Sequence, residues 1–167
     1  MRNLKLIAKD ITDLTVLSTL LQDAVVDVGD MDYTPAAQQF LMVVARLIGD
    51  KTQQNNTQTK APPDAPPSAS PNAQPNAWRK KTGVHIAGVE SCKHCGVEFA
   101  KKHATPLMLL SMTYCGDAID LVFSGDVMLK LKTPSIEVYA VDLDEEAWPT
   151  TFTPCHDQAF TGDSKTP

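Results

Sequence analysis

Residues 50–77 limit what this chain can fold into more than any other feature. These 28 positions hold no Val, Ile, Leu, Met or aromatic residue, and six of the chain's 12 prolines fall between Pro62 and Pro75. Without apolar side chains to bury, such a stretch cannot offset the entropy of ordering its backbone. It reads as a solvated insertion, extended at its proline-rich end. Pro63-Asp64-Ala65-Pro66 matches the P-x-x-P pattern of an SH3-type ligand, but any proline-rich stretch tends to. The core must therefore come from the two blocks on either side.

In the first block, Leu4 to Ala8 reads as a strand. Asp10 is an N-cap, and Asp13 in the first turn suits the helix dipole. Ile11, Leu14, Leu17, Leu20, Leu21, Ala24 and Val25 recur at three- and four-residue spacing, which predicts an amphipathic helix of about four turns. Val26, Val28 and Tyr33 then predict a strand with a bulge at Gly29. After a loop at Thr34 to Gln38, Phe40 to Ile48 is apolar except for Arg46. It suits a strand covered on both faces, so the pair reads as a hairpin.

In the second block, Trp78 to Gly83 leads into strand-like Val84 to Val89. The runs Pro106 to Cys115, Ala118 to Phe123 and Val127 to Lys132 are separated by Gly116-Asp117 and Ser124-Gly125-Asp126. Such short turns predict an antiparallel meander. Pro134-Ser135 offers a helix start, with Ile136, Tyr139, Ala140 and Leu143 at helical spacing. The acidic run from Asp142 to Glu146 would be an unfavourable end for that helix.

The predicted class is α+β: a largely antiparallel sheet of about six or seven strands, one long N-terminal helix and a short C-terminal helix. The alternative is a pleckstrin-homology-like barrel, resting on seven strands and a closing helix. Residues 1–157 are expected to form a single domain interrupted at 50–77, with 158–167 as a flexible tail.

The net charge of −5 is unevenly spread. Residues 78–104 carry 6 basic and 2 acidic groups, whereas 105–167 carry 3 basic and 10 acidic. The acidic whole argues against general nucleic-acid binding, although Arg79-Lys80-Lys81 beside Trp78, with Lys101-Lys102-His103, could meet an anion. The longest apolar run, Phe40 to Ala45, is far below the roughly 20 residues of a membrane-spanning helix. No secretory signal is visible at Met1 to Lys9, so a soluble, cytoplasmic protein is expected.

The chain resembles a bacterial family known as domain of unknown function 2948. The resemblance rests on Leu4-Lys5-Leu6, Asp13-Leu14, Leu21-Gln22-Asp23-Ala24-Val25, Gly29-Asp30 to Tyr33 and Phe40 to Arg46. It continues through Leu121 to Gly125, Ile136-Glu137, Asp142-Leu143, Trp148 and Pro154-Cys155-His156-Asp157. It implies a small soluble protein of unassigned activity and brings no catalytic residues with it.

Three sets of residues invite a functional reading. Cys92-Lys93-His94-Cys95 is a C-x-x-C that could clasp zinc if a tight turn brought both thiolates to one side. A closed site needs further ligands from His94, Cys115, Cys155 or His156, and on a continuous strand positions three apart face opposite ways. Gln22 and Asp23, at the end of the long helix, offer local bonds to the next turn, with Asp23 pairing Arg46, or a polar contact surface. His156-Asp157 could be a proton-transfer pair, but adjacent residues orient each other poorly. No P-loop, dinucleotide, nucleophile-elbow or zinc-protease motif is present, and no catalytic constellation is legible. The expected function is a non-enzymatic interaction or scaffold module with a protein partner and no cofactor. The alternatives are a metal-binding or thiol protein using Cys92 and Cys95, with zinc as its metal, and an enzyme of unrecognised type.

Overall fold

The computed structural model describes residues 3–48, 77–96, 106–143 and 146–150. Ten strands and one α-helix make up the regular structure of these residues. The first strand, β1 (Lys5–Ala8), leads directly into helix α1 (Ile11–Leu21). Asp10 caps α1 by accepting from the Asp13 N–H at 2.8 Å, and Asp13 accepts in return from the Lys9 N–H at 3.2 Å. Replacing this cap, Asp10→Ala, should cost about 1 kcal/mol in chemical denaturation.

The helix is shorter than its periodicity predicts. It stops at Leu21 because Asp23 takes a left-handed backbone with φ 62°. Asp23 N–H then donates to Leu109 O at 2.8 Å, which commits the chain to sheet. Leu14, Leu17 and Leu21 are buried, whereas Ile11 and Leu20 face out.

The predicted hairpin forms from β2 (Val25–Thr34) and β3 (Gln39–Ile48). Their register slips between Val26 and Met31, around the predicted Gly29 bulge. A single 3-10 turn at Pro35–Ala37 joins them. Beyond the insertion lie β4 (Ala77–Ala87) and β5 (Ser91–Cys95). Gly88, at φ 72°, provides the sharp corner between these two. The meander is β6 (Leu107–Cys115), β7 (Ala118–Phe123) and β8 (Val127–Lys132), as its turns predict.

The predicted C-terminal helix is not there. Residues after Pro134 form β9 (Val138–Asp142), followed by β10 (Trp148–Thr150). Val138, Ala140 and Asp142 are buried while Val141 is exposed, a period of two rather than 3.6. β9 inserts between β1 and β4, where both edges find hydrogen-bond partners. The α+β class with a helix at each end is therefore corrected to a mostly β fold carrying one α-helix among the described residues. The same strand removes the pleckstrin-homology-like alternative, which needed a helix at that point.

The strand order is β1-β9-β4-β3-β2-β6-β7-β8-β5, with β10 also paired to β4, and every pairing is antiparallel. This sheet folds over on itself at β2 and β6, which pair only through Val25–Met108 and Val26–Leu107. One continuous core results. Phe40, Met42, Val84, Ile86 and Val138 line it from one half, and Leu109, Ile119, Leu121, Phe123 and Leu131 from the other. Helix α1 closes the side of β6 that β2 leaves open. Ser18 Oγ there accepts from the Met112 N–H at 2.8 Å, so the exposed strand edge is satisfied by a helix side chain.

Candidate functional site

At one end of the core, apolar side chains give way to charged ones on the same inward faces. Phe40, Met42 and Val44 on β3 are followed at the same period by Arg46. On β4, Val84 and Ile86 share their face with Thr82 and Lys80. The register sets Arg46 opposite Lys80, and Thr82 between Val44 and Asp142. The Asp142 carboxylate is fully buried and accepts from Arg46 Nη2 at 2.9 and 3.1 Å, Thr82 Oγ1 at 2.7 Å and the Leu4 N–H at 2.8 Å. Lys80 Nζ lies 3.8 Å from it and donates to Asn3 Oδ1 at 2.6 Å. Burial pushes the Asp142 pKa up, but the Leu4, Thr82 and Arg46 hydrogen bonds and the Arg46 charge outweigh it, so the pKa lies below its ordinary value. This cluster ties β1, β3, β4 and β9 together, and its carboxylate is already occupied by these partners.

At the other end the two halves of the sheet diverge and leave a mouth. Beyond Val26, β2 pairs with β3 alone among the described residues, and β5 pairs with β8 alone. Between them lies a concavity of about 250 Å³, lined by Met31, Asp32, Tyr33, Phe40, Cys92 and His94. Met31 and Tyr33 stand opposite Met42 and Phe40 and so share the core face. Cys92 and His94 stand opposite Leu131 and Leu129 and point the same way from the facing sheet. Tyr33 Oη donates to Glu90 O at 3.0 Å and bridges one corner of the opening. Burial pushes the Cys92 thiol pKa up, so this sulfur is an apolar wall atom at neutral pH.

The predicted site residues are dispersed. Cys92 faces the mouth, while Cys95 lies on the outer face of β5 opposite Met128, as strand alternation requires. Among the described residues no three His, Cys, Asp or Glu side chains gather as a metal site would require. Gln22 is exposed at the end of α1. Asp23 is buried, and its carbonyl accepts from Arg79 Nη1 at 3.1 Å. Arg46 reaches Asp142 instead of the expected Asp23. His156 and Asp157 lie outside the described residues, as do Lys101, Lys102 and His103.

Two features escaped sequence reasoning. Asp142 was hidden because its segment matches helical spacing as well as strand alternation. The mouth is a product of the fold-over at β2 and β6, and no local pattern marks it.

The fold and site define a class: a small antiparallel β protein, closed on one side by a helix, with an apolar mouth between two strand edges. The model of a family described as a protein of unknown function, DUF2948, matches residues 4–156, and the chain belongs to that family. No curated protein and no solved structure matches it. No helix among the described residues is long and apolar enough to cross a membrane.

Proposed function

We propose that this protein is a non-enzymatic interaction module that receives an extended segment of a partner protein at the mouth between β2 and β5. The observation that carries this reading is an apolar concavity placed beside a strand edge with no neighbour among the described residues. An edge strand offers unpaired N–H and C=O groups to an added strand, and an adjacent pocket supplies specificity. At about 250 Å³ the concavity is smaller than the roughly 300–1,000 Å³ of small-molecule sites, and it suits one or two inserted side chains. Asp32 lines its rim and is exposed, which favours Lys or Arg beside the apolar anchor.

Selection of displayed random peptides on the immobilised full chain tests this. The expected peptides share a large apolar residue with an adjacent Lys or Arg. Their affinity falls at least about tenfold, or roughly 1.4 kcal/mol, when His94→Trp fills the mouth. Asp32→Asn gives a smaller loss, confined to peptides with the basic residue. No enrichment over the display control, or peptides that bind both variants as well as the parent, would refute the proposal.

A further inference from the structure

We infer that the outer face of the β1-β9-β4-β3-β2 half is an interface for a second copy of this chain. This inference does not require a ligand at the mouth, although Asp32 borders both surfaces. The registers align Ile7, Tyr139, His85, Leu41 and Asp32 in one row across all five strands. The next row is Lys5, Val141, Gly83 and Val43. Leu143 leans over Gly83, 3.2 Å from where a Cβ would stand there.

The face is apolar, and no element among the described residues covers it. Ile7, Leu41, Val141 and Leu143 are 47%, 38%, 39% and 56% exposed, high values for large aliphatic side chains clustered on one surface. His85 and Tyr139 stack at its centre, with ring centroids 5.6 Å apart and planes 21° from parallel. Tyr139 Oη is held by Glu137, so the ring pair is fixed.

The charges at the margins select the occupant. Lys5 stands on the β1 edge of this face and Asp32 on the β2 edge, both exposed, with β4 midway between them in the strand order. A two-fold axis running along β4, in the plane between two copies, lays the β1 edge of each over the β2 edge of the other. Asp32 of each copy then lies over the row of Ile7 in the other, one row from Lys5, a diagonal that the long lysine side chain can span at both ends, and the aliphatic side chains pack between. This is the self-complementarity of an isologous contact, and face-to-face sheets pack in this way at a small crossing angle. Lys81 lies along the axis but beyond Gly83, at the margin of the patch, where it is exposed.

Sedimentation equilibrium of the full chain tests the inference. A mass of twice 18.1 kDa is expected at concentrations up to about 100 µM, above the micromolar range of modest interfaces. Leu41→Glu, at an exposed position, should weaken dimerisation at least tenfold, with Val141→Glu as a second variant should the first misfold. Lys5→Asp should weaken it, and adding Asp32→Lys to the same chain should restore it. A monomer throughout this range overturns the inference. So does a dimer indifferent to both glutamate variants, or a Lys5→Asp defect that the second reversal leaves unrepaired.

Discussion

Asp142→Ala should lower the unfolding free energy by about 3–5 kcal/mol, the usual cost of breaking a buried ion pair from one side. Removing the carboxylate leaves Arg46 and Lys80 as two inward-facing cations without their counter-charge. It also strips the Leu4 N–H and the Thr82 hydroxyl of their acceptor. Small domains hold roughly 5–15 kcal/mol in total, so the variant should be visibly destabilised in a denaturant titration. A loss under about 1 kcal/mol would mean that the cluster is solvated and the pair weak. Asp142→Asn keeps the shape and one acceptor oxygen, so its difference from Asp142→Ala separates charge from hydrogen bonding.

The same carboxylate sets a pH dependence. Its folded pKa lies below the ordinary value of 3.8, so the folded state binds the proton less readily than the unfolded chain does. The resulting stability is fully present above the unfolded value. It is lost as pH falls below about 4, through the depressed folded value. Between pH 7 and pH 5 the stability gap between parent and Asp142→Asn should be constant, and below pH 4 it should narrow. A gap that stays constant to pH 2 would show that the aspartate is not held ionised by its neighbours.

How far the fold was legible depended on whether a segment's pattern had one reading. The Asp10 cap, the Gly29 bulge within the β2-β3 hairpin and the meander with its two glycine turns each carry a local signal that only one backbone satisfies. Residues 136–143 do not. Ile136, Tyr139, Ala140 and Leu143 fit a helix, while Val138, Ala140 and Asp142 fit a strand, and the tie is broken by the empty place between β1 and β4. That place is a tertiary fact. The error propagated to the site: with Asp142 on a helix, Arg46 had no visible partner except Asp23. Asp23 is in fact occupied with ending α1, and Arg79 holds its carbonyl. The Cys92/Cys95 geometry was legible, because strand alternation alone separates positions three apart.

Phe40→Ala should cost about 3–5 kcal/mol, since the ring is 2% exposed and its loss removes both transfer energy and packing contacts. Phe40 stands opposite Tyr33 on one side and Ile86 on the other, so it anchors β3 to both neighbours. It also walls the mouth, which makes it differ from Phe123, an equally buried ring that does not line the mouth. A cavity opening onto the mouth can take up water, whereas one sealed in the core stays dry and keeps its full cost. Phe123→Ala should therefore be the more damaging of the two in parallel denaturant titrations, with Phe40→Ala towards the lower end of the range. Equal losses would mean that the mouth does not reach Phe40. A loss below about 1 kcal/mol at Phe40 would mean that the hairpin tip does not pack on the core, and the mouth would then have no floor on which to seat a partner's side chain.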